Sequence, residues 1–233
     1  MDALQEAVRE DTTLVSIMFG NNEVGTIQPI AAIGQFLRER GILFHTDAVQ
    51  VFGKQAIDVE ALQVDLLSAS GHKINGPKGI GLLYVRTGVK LATQTYGGEQ
   101  ERKRRAGTEN VPGIVGLAKA LELMIAERDQ QQDHIKQLRS VLLTRLDESG
   151  VTYEVNGVEG LPNVLNLYFP QIEIEPFLIM LDMRQMAVSS GSACTAGSVE
   201  PSHVLSAMYG EDERTRASVR ISFGHGNELA QVE

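Results

Sequence analysis

A single cysteine in 233 residues rules out an internal disulfide, so a reducing cytoplasm is the default setting for this chain. No apolar run approaches the roughly 20 residues that a membrane helix needs, and no signal peptide opens the sequence. Basic residues are short as well: 21 against 30 acidic ones, a net charge of −9, which argues against nucleic acid or an anionic membrane as the main partner. No internal repeat or low-complexity segment is visible. What is present, 42% hydrophobic and 22% charged residues, is the balance of an ordinary globular chain, long enough for one large domain with a smaller companion.

Strands alternate with helices through the first half, the order of a parallel sheet in an α/β fold. Residues 2–10 have an amphipathic pattern and 14–19 a β-rich one, ending in the polar loop GNNEVG. Pro29 opens a helix over 30–40 that Gly41 closes. Strands follow at 42–44, delivering His45, Thr46 and Asp47 to its end, and at 64–69, nearly all apolar and so buried on both faces. A returning strand is expected over 79–86, then a glycine-rich basic loop over 96–108. Two helices, 113–127 and 133–149, are expected to bridge to a smaller α+β unit. That unit has strands at 152–155, 164–169, 186–188 and 217–223 and helices at 176–183 and 201–208. The division predicted is 1–125 for the large domain and 126–233 for the bridge and small domain. Asn227 could cap a further helix.

The stretch 66–77, LLSASGHKINGP, organises the rest. It places Ser70, His72 and Lys73 just past a buried strand, where open α/β sheets put their chemistry. Lys73 alone reads most simply as a solvated loop lysine. Its neighbours change that reading, because a Ser and a His at a strand-end turn can hold a phosphate. Asp47 and Gln50 stand at the end of the preceding strand, where Asp47 either caps the next segment or faces a cation. Asn22, in GNNEVG, stands at a third strand end, with a turn residue as the alternative. An amine, a carboxylate and phosphate donors at one sheet edge are the parts that a pyridoxal phosphate site requires.

Arg220 is flanked by Val219 and Ile221 in a strand pattern that argues against a surface ion pair. Cys194 lies in SSGSACTAGS, a run of small residues unsuited to a core. His45, His134, His203 and His225 read as structural or exposed.

Together IMFGNNEVGTIQP, HTDAVQ, SASGHKINGPKGIGLLY, RRAGTENVPGIVG, SSGSACTAGSVEPSHVL and SVRISFG resemble, in order, the cysteine desulfurases of the class V aminotransferase group, and the short SSGSACT loop resembles the first of the two desulfurase subgroups. The resemblance implies a fold-type I pyridoxal phosphate enzyme with a parallel-rich large domain and a small α+β domain. It implies that Lys73 bonds the cofactor and moves the substrate Cα proton, with His72 beside it. Asp47 would face the pyridine nitrogen, Asn22 and Gln50 the phenolic oxygen region, and Ser70 and His72 the phosphate. Thr108 would reach the phosphate of the other subunit in a homodimer with a shared active site, which would place the basic run 102–105 at the dimer interface. Arg220 would grip the carboxylate of L-cysteine. Cys194 would carry the persulfide, with a further role as a transient iron–sulfur ligand. The sulfur would pass to an iron–sulfur scaffold or a tRNA-thiolation protein.

The family's amino-terminal third, including a histidine that stacks on the cofactor and a glycine-threonine phosphate turn, has no counterpart in this sequence, nor have a few carboxyl-terminal elements. The expectation is therefore a fragment with Met1 internal to a longer parent. The alternatives are another class V enzyme, a selenocysteine lyase or an aminotransferase, and a truncated, non-catalytic dimerising chain. His225 departs from the pattern, since relatives usually carry arginine there.

Overall fold

The computed structural model describes residues 1–170, 172–190 and 201–232. They form two compact units: Met1–Phe19 with Gln28–Arg128, and Gly20–Ile27 with Asp129–Glu233. The GNNEVG loop groups with the second unit.

In the first unit α1 (Asp2–Ala7) leads to β1 (Leu14–Met18), α2 (Ile30–Arg38), β2 (Leu43–Asp47), β3 (Leu66–Ser70) and β4 (Gly81–Val85). The sheet runs β1-β2-β3-β4, with β1, β2 and β3 parallel and β4 antiparallel to β3. Pro29 precedes α2, whose Ile30, Ile33 and Leu37 are buried. The α2 helix packs against β2, where Phe44 is also buried. His45, Thr46 and Asp47 lie inside β2 rather than beyond it. His45 earns its place in the strand by bridging neighbours, with Nδ1 2.7 Å from Ser16 Oγ and Nε2 3.2 Å from Ser68 Oγ.

After a one-turn helix, α3 (Gln100–Lys103), comes α4 (Val111–Ser149), 39 residues without a break. The two helices expected here are one. The apolar spacing lapses over 127–134, ERDQQQDH, but that stretch holds neither Gly nor Pro and is rich in good helix formers, so the backbone continues. Ala120 and Met124 pack with Ile74 in the first unit, and Leu138 anchors the core of the second.

The second unit has β5 (Glu154–Val155), β6 (Val164–Tyr168), α5 (Ile174–Asp182), α6 (His203–Tyr209) and β7 (Ser218–Ser222). Its antiparallel sheet, β5-β6-β7, sorts side chains by alternation. Leu165, Leu167 and Val219 join Leu138, Phe169, Ile174 and Phe223 in an apolar core. Asn166 pairs in register with Arg220 on the other face. The strand expected over 186–188 is absent; its neighbour Ser189 makes an isolated bridge to Arg220, too short to recruit the residues before it. Asn227 caps no helix: only a 3-10 turn, Leu229–Gln231, follows, and Glu228 caps it. No helix among the described residues is long and apolar enough to cross a membrane.

Candidate active site

The register sets Asp47, the last residue of β2, opposite Ser68, two residues before the end of β3, and the Ala48 amide donates to Ser68 O at 2.9 Å. β3 ends at Ser70 and the chain turns through a 3-10 helix, Gly71–Ile74, that carries His72 and Lys73. Ile74, 1% exposed, anchors this turn against Ala120 and Met124, which turns His72 and Lys73 toward solvent. Ser70 Oγ and His72 Nδ1 lie 2.7 Å apart.

Glycine is required on both sides of the turn. A Cβ at Gly81 would stand 2.5 Å from Ala69 O, and one at Gly76 2.9 Å from Gly71 O. Asn75 closes the turn at φ 60°, a left-handed conformation that asparagine tolerates.

Asp47 is exposed at the end of β2, and its Oδ1 accepts the Val49 amide at 2.9 Å. This closes a turn, with no helix after it for Asp47 to cap, and leaves the other carboxylate oxygen uncommitted to that turn. Gln50 is half-buried three residues on. Thr108 is exposed in the loop before α4, and Arg102, Arg104 and Arg105 line a groove with Leu83, Leu91 and Ile114.

A second amine stands near Lys73. Burial, and then the positive charge of Lys73, lower Lys54 from its ordinary value of 10.5 to about 8. Nothing in VFGK marked Lys54 in the sequence; the close packing of Gly53 on Ile74 and Met124 brings it there.

Asn22 and Arg220 belong to the second unit, where Arg220 Nη1 donates to Asn22 O at 3.3 Å. Arg220 Nε is buried with no hydrogen-bond partner among the described residues. Around it Asn156 Nδ2 donates to Asn166 Oδ1 and to Ser218 Oγ, each at 2.8 Å. Asn166 Nδ2 donates to Glu23 O at 3.1 Å. Glu23 and Asn166 were missed in the sequence. GNNEVG reads as a polar loop, yet Glu23 is 0% exposed. Cys194 lies outside the described residues. Of the remaining histidines, His134 Nε2 lies 2.7 Å from Asn227 O and His225 Nδ1 3.5 Å from Gln131 Nε2.

The first unit therefore gathers a carboxylate, a hydroxyl–imidazole pair and an amine at one sheet edge. The second presents a guanidinium on a polar sheet face. The whole chain, residues 1–233, matches the aminotransferase class-V family, and it belongs to that family. Among curated proteins it is 57% identical over 233 residues to a putative cysteine desulfurase IscS 1 of Bacillus subtilis (strain 168), matching 99% of this chain and 62% of that protein. It is 50% identical over 234 residues to a cysteine desulfurase IscS of Methanosarcina thermophila, matching all of this chain and 58% of the relative. Among solved structures a NifS-like protein superposes with a TM-score of 0.88 at 38% identity, over 99% of this chain and 61% of the other. The α/β fold expected from the sequence is thus the fold of these proteins. The chain spans about 60% of the length of the curated relatives it matches.

Proposed function

We propose that this chain carries the lysine and the thiol of a cysteine desulfurase, which converts L-cysteine to L-alanine and leaves the sulfur as a persulfide on Cys194. The observation that carries the reading is the sheet edge where Asp47, Ser70, His72 and Lys73 end adjacent strands, in a chain 57% identical to a relative named as a putative cysteine desulfurase.

The donor set fits pyridoxal 5′-phosphate. Ser70 and His72 supply a hydroxyl and an imidazole for a phosphate, Lys73 the amine that bonds the cofactor, and Asp47 a carboxylate for a protonated ring nitrogen. Gln50 and Asn22 are assigned to the ring's phenolic oxygen region. When bound, the cofactor supplies an electron sink for the bond changes on the substrate. The chain's own residues do the rest. Arg220 presents its guanidinium to the substrate carboxylate, and Lys73 takes and returns the Cα proton. The Cys194 thiolate attacks the substrate sulfur; the carbon–sulfur bond breaks, and its electron pair and a proton end on the alanine methyl group. Atoms balance as cysteine plus thiol giving alanine plus persulfide.

The assembly is a homodimer in which Thr108 reaches the partner's phosphate and the basic run 102–105 lies at the interface. The compartment is the cytoplasm, and the sulfur passes to an iron–sulfur scaffold or a tRNA-thiolation protein, with Cys194 able to ligate an iron–sulfur cluster transiently. The test is incubation of the chain with pyridoxal phosphate and L-cysteine, measuring alanine and the 32 Da that one sulfur adds, roughly, to the Cys194 peptide. Both are expected in the native chain, and the mass gain is lost in Cys194→Ala. Alanine no higher than with cofactor alone contradicts the reading, and turnover of selenocysteine without cysteine would make the chain a selenocysteine lyase.

A further inference from the structure

Glu23 is a fully buried carboxyl group to which the proposed reaction gives no task. Its Oε2 accepts from Ser202 Oγ at 2.5 Å. Its Oε1 has no hydrogen-bond partner among the described residues, and His203 Nδ1, on a mostly exposed ring, stands 4.0 Å away. Burying a carboxyl group is costly, and an apolar side chain of similar volume would serve packing as well or better. A role beyond holding the core together accounts for its being there.

The contacts around Glu23 show what that role is. Ser202 also accepts the Leu205 amide at 3.1 Å, so it caps α6 while donating to Glu23. Glu23 is itself fixed: its amide donates to Asn21 Oδ1 at 2.8 Å, and its carbonyl accepts from Asn166. The preceding residue, Asn22, takes Arg220 Nη1. Arg220 in turn exchanges backbone bonds with Ser189: its N–H donates to Ser189 O at 2.6 Å, and the Ser189 N–H donates to Arg220 O at 3.1 Å. Ser189 and Ser202 flank residues 191–200, within which Cys194 falls. Both flanks are therefore tied to one short turn and to the arginine assigned to the substrate carboxylate.

We infer that Glu23 is a positioning residue for the thiol step, acting through Ser202 to fix the carboxyl-side flank of the Cys194 segment to the turn that meets Arg220. The inference rests on the desulfurase reading for its meaning, but its test does not need the cofactor. Cys194 is the only cysteine, so alkylation by iodoacetamide reports on it alone.

Glu23→Ala and Ser202→Ala are each expected to raise the alkylation rate about threefold or more, the scale of one lost hydrogen bond, and the double variant no further. Glu23→Gln, which keeps an oxygen for Ser202, is expected to restore the native rate, which a merely structural defect would not do. With cofactor and L-cysteine, the two alanine variants should lower the rate of persulfide formation at saturation and leave KM unchanged. Native alkylation rates in both alanine variants, or effects that add in the double variant, would overturn the inference. If Glu23→Ala does not fold by circular dichroism, Ser202→Ala decides it alone. Coupled alkylation without alanine formation supports the anchor and overturns the desulfurase reading.

Discussion

Ser70 Oγ and His72 Nδ1 lie 2.7 Å apart, one residue before Lys73, so a hydroxyl and an imidazole are already mutually oriented at the edge where the sheet ends. A phosphate arriving there meets donors that need little reorganisation, which is the condition under which hydrogen bonds contribute to affinity. Ser70→Ala removes one donor and releases the His72 ring. The expected result is cofactor binding weaker by about tenfold, with the fold intact. Equilibrium titration of the bound cofactor's visible absorbance measures it; unchanged affinity would remove Ser70 from the phosphate site.

The sheet that presents this edge depends on a buried carboxylate. Asp65 is 5% exposed; its Oδ2 accepts the Phe44 amide at 2.8 Å and its Oδ1 accepts Arg86 Nε at 2.5 Å. These bonds tie the entry to β3 to β2 on one side and to the residue after β4 on the other. Asp65→Ala would leave a buried amide unsatisfied and a guanidinium without its partner, for a loss of about 2–3 kcal/mol. Urea denaturation followed by circular dichroism checks it, and a loss under about 0.5 kcal/mol would place Asp65 among ordinary surface positions.

Lys54 gives a pH dependence of known sign. Its amine titrates near 8 in the folded chain, through burial and then the charge of Lys73, against an ordinary value of 10.5. Between those values the unfolded chain binds more protons than the folded one, so stability rises with pH; the penalty is complete below about 8 and gone above about 10.5. Lys73→Ala removes the smaller of the two causes and should move the Lys54 midpoint upward. Nuclear magnetic resonance of reductively methylated lysines reads both midpoints, and a Lys54 signal titrating near 10.5 in the native chain contradicts the arrangement.

The parts of this fold that were legible in the sequence are those where burial is uniform. β3 opens on Leu66 and Leu67, neighbours that face opposite sides of the sheet and are both buried, and Val219 and Ile221 alternate around Arg220 because one face of β7 packs on Leu138 while the other carries polar groups. The turn at Lys73 was legible because glycine, asparagine and proline leave few other conformations. Where burial and polarity part company the sequence is silent. Glu23 sits in a loop of asparagines and glycines and is nonetheless fully enclosed, through a Ser202 that lies 179 positions away. The continuity of α4 was hidden for a related reason: none of residues 127–134 is fully buried, so their apolar spacing lapses although their helix propensity does not.

Lys73 is proposed as the amine that bonds the cofactor. Incubation with pyridoxal phosphate, reduction with borohydride and peptide mapping by mass spectrometry locates that bond directly. The expected result is a single major adduct on the peptide containing Lys73, absent from Lys73→Ala. An adduct that sits mainly on Lys54 or another lysine, or one that persists undiminished in Lys73→Ala, would contradict the account.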